Sequence, residues 1–468
     1  MNHHAYFRGA EPVDTCLVGT GDFGRSFIVQ SERMALMTTR VAVDLDAAVA
    51  GDAFVAAGVD PARVAVCATA SEARIAWDAG RYVATTDLAV ALELPVGVVV
   101  EATGHPEAAA RHARMALEAD RHVVMVSKEA DSVAGPGLAA MAEARGKVVT
   151  PVDGDQPSLL VGLVTWAETL GFEIVAAGKS SEYDFVFDAS RGIIDSNGRV
   201  IDAAGFAAVD RLGDRDCAEV VATRARLAAA LPQKLVPDLC EMTLVSNATG
   251  LMADVPELHV PIARIEELPT LFSLRSDGGL IGGPRRVDVF QCLRAPHEPS
   301  FAGGVFVVVR CTDAATWRLL EKKGHVVSRT GETALLWMPR HLLGLEAGTS
   351  VLEAAVHGRS TGGLSPAHHS DIVMVAGRDF AAGETLVMGG HHHEIPGASP
   401  RMIPAAPLAP DAPVPYYLAS NRRLCRAVPK GAAVRLADVE IDPQSPLLSL
   451  RREQDARFFP GGTASTAR

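Results

Sequence analysis

Residues Thr15–Asp44 read TCLVGTGDFGRSFIVQSERMALMTTRVAVD. A short apolar run, Thr15–Val18, leads into Gly19, Gly21 and Gly24 spaced as GxGxxG; a helical segment follows, and a second apolar run, Val41–Val43, closes on Asp44. The order predicts a strand, a tight turn, a helix and a second strand. In such a unit the first glycine permits the turn, the second lets the backbone approach a pyrophosphate, and the third lets the helix pack on the strand. Phosphates then sit on the free N–H groups of the helix N-terminus. Gly19, Gly21, Asp22, Phe23 and Gly24 are therefore the candidate cofactor loop. Asp44 follows the last glycine by about 20 residues, the spacing of an acid that holds a ribose 2′-hydroxyl. Its charge repels a 2′-phosphate, so NAD is expected over NADP, with Arg40 close enough to complicate the preference.

Downstream, apolar β-branched runs alternate with helical stretches. Gly97–Val100 enters Glu101-Ala102-Thr103-Gly104-His105-Pro106, His122–Val126 ends in Ser127-Lys128-Glu129, and Lys147–Val152 ends in Asp153-Gly154-Asp155-Gln156. Such alternation predicts a parallel, doubly wound sheet. Turns after successive parallel strands open at one carboxyl edge, where ligands bind. GTGDFG, EATGHP, SKE and DGDQ should thus face one crevice. Burial explains the strands but not Lys128, Glu129, Asp153 and Asp155 at their ends.

The 468 residues give room for two or three domains. At 48% hydrophobic and 21% charged, the composition is that of an ordinary globular chain. The net charge of −12 and the lack of a basic patch interleaved with aromatics argue against a nucleic-acid partner. No apolar run reaches the roughly 18 residues of a membrane span, and MNHHAYFRGAEPVD lacks an apolar signal region, so a cytoplasmic protein is expected. The seven cysteines are odd in number and never spaced CxxC, which predicts reduced thiols. Cys240 has no basic neighbour in sequence and reads as buried rather than nucleophilic.

From Pro157 the pattern changes. An apolar helix over Pro157–Leu170 precedes a strand over Glu173–Ala177, which runs into Gly178-Lys179-Ser180-Ser181-Glu182-Tyr183-Asp184. Asn197-Gly198 is a hairpin turn signal in a polar insert. A helix starting near Pro237 would place Asp238 and Glu241 on one face. Gly303–Arg310 reads as a buried strand, and Leu335–Ser350 carries His341, a candidate site residue. Ile372–Val375 and Glu384–Met388 read as short strands, Pro396–Pro415 as a semi-rigid linker or long loop, and the polar stretch from Arg451 to the end as frayed. His391, His392 and His393 are consecutive and could ligate a metal. Neighbouring side chains diverge on an extended chain, so a solvated loop is the preferred reading.

With these motifs in place the chain resembles the homoserine-dehydrogenase-like oxidoreductases. More closely it resembles the 1-deoxy-D-xylulose-5-phosphate reductoisomerase-like proteins that carry a C-terminal SAF domain. The resemblance rests on GTGDFG at 19–24, EATGHP at 101–106, SKE at 127–129, VDGDQP at 152–157, PDLCEMTLVSNATG at 237–250 and PRHLLGLE at 339–346. It implies an α/β chain: a Rossmann domain over 1–156, an α+β catalytic and oligomerising domain over 157–364 whose last helix could return to the first, and a β-rich SAF-like domain over 365–468. It further implies a homodimer or homotetramer. Lys128 matches the lysine that faces substrate in homoserine dehydrogenases, whereas Gly178–Asp184 departs from the corresponding Asn-Gly-Thr-Thr-Asn-Tyr type segment, which counts against homoserine.

The expected activity is NAD(P)-dependent hydride transfer to or from a small polyhydroxylated carbonyl compound such as a sugar acid, ketose or sugar phosphate. Alternatives are a homoserine-dehydrogenase-type enzyme of an amino-acid pathway and a regulatory protein that holds NAD without turnover. Ala102, Thr103, Gly104 and Lys128 complete the expected cofactor contacts. Lys128 is assigned proton transfer, with burial bringing its pKa nearer neutrality. Asp155, Glu182, Asp238 and Glu241 are assigned to catalysis, and Asp153, Lys179, Asn247 and His341 to substrate. If isomerisation accompanies hydride transfer, Asp155, Glu182 and Glu241 could hold Mg or Mn as a template. Lys179, Arg191 and Arg224 could clamp a phosphate.

Overall fold

The computed structural model describes residues 2–461. A seven-stranded parallel sheet is formed by β1 (Val13–Val18), β2 (Met37–Val43), β3 (Val64–Val66), β4 (Tyr82–Thr85), β5 (Val98–Glu101), β6 (His122–Met125) and β7 (Val149–Pro151), in the order β3-β4-β2-β1-β5-β6-β7. The order reverses between β1 and β5, so a crevice opens beside the turns that follow them. Val98, Val99 and Val100 are fully buried, as expected for strands covered on both faces by helices.

A second, mixed sheet contains β8 (Ile174–Ser180), β9 (Phe185–Asp188), β10 (Ile193–Ser196), β11 (Arg199–Asp202), β12 (Met252–Ala253), β13 (Ile262–Ala263), β14 (Arg286–Arg294), β15 (Val305–Arg310) and β16 (Thr333–Met338). Its path runs β11-β10-β9-β14-β8-β15-β16, with β12 and β13 paired alongside β14. β10 and β11 form the expected hairpin, with positive φ at both Asn197 and Gly198. β8 extends past the expected Ala177, because Gly178 leaves no side chain where the Asp288 carbonyl crosses, and it carries Lys179 inward.

β17 (Ser370–Ala376) pairs antiparallel with β18 (Ala398–Pro404). The Pro396–Pro415 stretch is therefore partly strand rather than linker, while Glu384–Met388 contributes only an isolated bridge, from Thr385 to Arg423. Residues Pro446–Phe458 are helical rather than frayed. Arg451, 1% exposed, donates two hydrogen bonds to Asp371 at 2.6 and 2.9 Å and one to Asp455 at 2.8 Å. The rest of the expected frayed tail, 462–468, lies outside the described residues.

Two chain segments return to the first sheet. Ala347 and Val351 pack with Phe27 and Ile28, and Gly344 lies against Phe23 and Phe27 of the helix Asp22–Ser31. The C-terminal helix packs on the helices Pro106–Glu118 and Lys128–Glu143. No described helix is long and apolar enough to cross a membrane.

The glycine loop is held by close backbone approach. Gly19, at φ +94°, sits under Ala102 and Thr103, and a methyl group on Gly24 would lie 2.2 Å from the Gly19 carbonyl oxygen. Alanine is the better helix former by about 1 kcal/mol, so a G24A variant that is less stable than wild type reports the clash directly. We expect a loss of about 1–3 kcal/mol, measured as a lower denaturant midpoint.

Candidate active site

Four turns line the crevice. Gly21 caps the helix Asp22–Ser31 without a side-chain partner, and the space a methyl group would occupy there is open. Together with the helix N-terminus this is a fitting cradle for a pyrophosphate. At the end of β2, Asp44 Oδ2 accepts hydrogen bonds from the N–H and hydroxyl of Thr20 at 2.8 and 2.5 Å. Burial alone would raise its pKa, but these bonds, the Leu45 N–H and the charge of Arg25 outweigh it and hold the carboxyl below its ordinary range. Arg40 turns away, donating to the carbonyls of Trp77 and Arg81 and stacking on the Trp77 ring. The Ala102–Gly104 turn is tied to the next one by Gly104 N–H donating to Ser127 Oγ at 2.8 Å.

Ser127 precedes Lys128, which begins the helix Lys128–Glu143 and reaches the centre of the site. Its ammonium donates to Glu241 Oε1 and lies 3.5 Å from Asp155 Oδ2. Lys179, arriving from β8, donates to the other Glu241 oxygen and stands 2.9 Å from Asp238 Oδ1. Ser181 Oγ donates to Asp238 Oδ2 at 2.8 Å. Asp238 and Glu241 share a face of the helix Val236–Thr249, as their three-residue spacing requires. Asp155 caps the helix Gln156–Thr169. His341 lies in the field of these groups: burial lowers its pKa, Asp155 and Glu241 act to raise it, and Lys179 and Lys128 to lower it.

The electrostatics correct one expectation. Burial would lower the Lys128 pKa, but Asp155, Glu241 and Glu129 overcome it and push the ammonium well above its usual value, away from neutrality. Lys179 shifts upward for the same reason, with Asp238 and Glu241 as the opposing charges. Glu241 is correspondingly pulled down: two ammonium groups outweigh its burial and hold it at about 2.

Several expected residues lie elsewhere. Asn247 Oδ1 accepts from the N–H groups of His369 and Ser370 and so fastens β17. Asp153 accepts from Ser158 and Thr349, anchoring the returning 343–352 segment. Lys179 does lie in the cluster, but at 3% side-chain exposure its ammonium is enclosed and taken by Asp238 and Glu241. Arg224 is buried against Glu267 and is no phosphate clamp. Asp155, Glu182 and Glu241 do not converge as a cation cage, because the Glu241 oxygens are taken by two lysines and Glu182 bonds to His391 and His392 instead. Cys240 is buried with its thiol pKa pushed up by that burial, consistent with an inert role.

The sequence reading took the histidine loop as solvated and did not place it at the crevice. His393 lies directly over Gly104, and its Nδ1 is 2.6 Å from Glu129 Oε1. A segment over 260 residues away thereby reaches the crevice. A cavity of about 1190 Å³ is an open apolar groove lined by Trp166 and Trp337; of the expected site residues it touches Asp153 alone.

Residues 42–150 match the homoserine dehydrogenase NAD-binding domain, and residues 236–347 match the catalytic domain of the oxidoreductase DRL. The chain is an NAD(P)-dependent oxidoreductase that carries these two matches. The second match includes Asp238, Glu241 and His341, and the first includes Asp44, Ala102–Gly104 and Lys128. No curated protein matches the oxidoreductase. Among solved structures it is similar to GenD2 from gentamicin A biosynthesis in complex with NAD, at 16% identity over 75% of this chain and 88% of that one, with a TM-score of 0.34. It is also similar to myo-inositol dehydrogenase from Lactobacillus casei in complex with NAD(H) and myo-inositol, at 13% identity, 42% and 52% coverage and a TM-score of 0.28. A levoglucosan dehydrogenase in complex with NADH and L-sorbose is similar at 17% identity, 38% and 44% coverage and a TM-score of 0.26.

The buried pairing makes acid stability depend on Glu241. Its folded pKa lies below the ordinary 4.5, so the ionised carboxylate stabilises the fold fully above that value, and the contribution is lost as pH falls through about 2. The shift corresponds to an order of about 3 kcal/mol. E241Q should be less stable than wild type at neutral pH and lose less on acidification through that window, measured by denaturant unfolding. Parallel pH dependences of the two proteins would count against the pairing.

Proposed function

We propose that the oxidoreductase transfers hydride between a nicotinamide dinucleotide and a CH–OH or carbonyl carbon of a small polyhydroxylated compound: a sugar acid, ketose or sugar phosphate. The observation that carries this reading is the partly exposed Lys128 ammonium at the crevice, backed by Asp155, Glu241, Lys179 and Asp238. A bound nicotinamide supplies or takes up the hydride. In the reductive direction Lys128 donates a proton to the substrate oxygen as the hydride reaches carbon; in the oxidative direction its charge stabilises the developing alkoxide. Glu241 fixes the ammonium, and Lys179 and Asp238 fix Glu241. Asp155, less buried than Glu241, is placed to accept from a substrate hydroxyl and to pass protons toward solvent.

The polar lining of the crevice supports a hydroxylated rather than an apolar substrate. Hydride transfer without a carboxylate-bound metal template is the simpler chemistry for this geometry, since both Glu241 oxygens are taken by lysines and Glu182 pairs with His391 and His392. The division into 1–156, 157–364 and 365–468, with an SAF-like tail and self-association as a dimer or tetramer, is part of the same proposal.

K128M should lower kcat by about 10²–10⁴-fold while cofactor affinity changes little, as followed by nicotinamide absorbance over a panel of sugar acids, ketoses, sugar phosphates and homoserine. Equal loss of both would remove Lys128 from the proton-transfer role. Asp44 favours NAD by accepting ribose hydroxyls, so D44A should weaken NAD binding about 10–100-fold, the value of a hydrogen bond to a charged group, and narrow the gap to NADP in fluorescence titrations.

A further inference from the structure

The segment Gly389–Glu394 is a tight hairpin whose ends exchange backbone hydrogen bonds, Gly389 N–H to Glu394 at 3.0 Å and Glu394 N–H to Gly389 at 3.1 Å. Its tip, Gly390-His391-His392-His393, is a turn rather than an extended strand. Neighbouring side chains therefore need not diverge, and the His391 and His392 rings lie 5.1 Å apart, both facing Glu182. His391 Nε2 is 2.9 Å from Glu182 Oε1, His392 Nδ1 is 3.2 Å from Oε2, and one ligand atom from each of the three residues falls within 4.8 Å of the others. Among the described residues no other group of histidine, cysteine and carboxylate atoms converges in this way.

We propose that Glu182, His391 and His392 bind a divalent transition metal of the zinc class, which pins the hairpin across the mouth of the crevice. Two imidazoles and one carboxylate are a donor set that suits zinc and disfavours magnesium, which takes oxygen ligands in octahedral geometry. Bonds of about 2.1 Å to a tetrahedral ion place ligand atoms about 3.4 Å apart, so only a small closure of the present arrangement is needed. Three protein ligands leave a fourth position for water or a substrate oxygen. His392 also lines a cavity of about 300 Å³ with Ser181 and Lys234, and Ser181 bonds Asp238 of the charged cluster. Glu182 directly follows Ser181, whereas the histidines come from residues more than 200 positions later, so the ion would join two distant parts of the chain. Unaided, the contact is an exposed histidine–carboxylate pairing, with His391 72% exposed, and such pairs hold a loop weakly.

This inference does not depend on the redox reading. It is tested by titrating Zn²⁺ and Co²⁺ into the untagged, full-length, chelator-treated protein by calorimetry, with Co²⁺ absorption as a measure of geometry. One equivalent should bind, with tetrahedral Co²⁺ bands, a raised melting temperature and slower proteolysis within Gly389–Glu394. H391N/H392N should melt like wild type in chelator yet bind Zn²⁺ at least tenfold more weakly, and E182Q should also weaken binding. Equal Zn²⁺ affinity in wild type and the double variant, no Zn²⁺ uptake, or Mg²⁺ competing as well as Zn²⁺ would each overturn it.

Discussion

One buried carboxylate, Glu241, stands between two ammonium groups, Lys128 and Lys179, and the rest of the site depends on that arrangement. A single charge in this position would be expensive to desolvate, and removing either partner of a buried pair leaves the other uncompensated. The three groups arrive on three different elements: the first turn of the helix after β6, the strand β8, and the helix Val236–Thr249. Their pairing therefore ties the helix that follows β6 of the first sheet to β8 of the second. Asp238, held by both Lys179 and Ser181, extends the same network.

The network also sets the protonation state of Lys128. A lysine surrounded by carboxylates keeps its proton, so in the proposed reaction Lys128 would be an acid and a charge stabiliser rather than a resting base. The cofactor side is organised by backbone rather than by charge. Close approach of Gly19 to Ala102 and of Gly24 to Gly19 stacks the turns, while the open space at Gly21 leaves room for a ligand. A returning segment closes the arrangement, with Gly344 against the helix after the glycine loop and the Leu343 carbonyl over Gly154.

Much of the architecture was legible because it is local. Strand-and-helix alternation, the GxGxxG spacing and the Asn197-Gly198 turn each record a backbone requirement within a few residues, and the parallel sheet, the loop and the hairpin followed. Lys128, Asp155, Asp238, Glu241 and His341 were legible as charged or titratable groups at strand ends and on one helix face. Less legible were residues whose surroundings come from afar. Asn247 looked like a substrate ligand and fastens β17; Arg224 looked like a phosphate clamp and is buried on Glu267. Lys179 looked like a loop residue because nothing in its own segment shows that Gly178 lets β8 continue beside β14.

The sequence by itself determined the parallel sheet, the dinucleotide loop with its acid, and the residue types of the charged cluster, since each follows from chain periodicity or from fixed spacing along one element. Only the tertiary structure decided which carboxylate meets which lysine, that Lys128 stays protonated, and that the His391–His393 tip lies over the crevice against Glu182 and Glu129. Those outcomes depend on distances between segments as much as 264 residues apart, and on the field that the assembled charges create together, neither of which is written in any one stretch of chain.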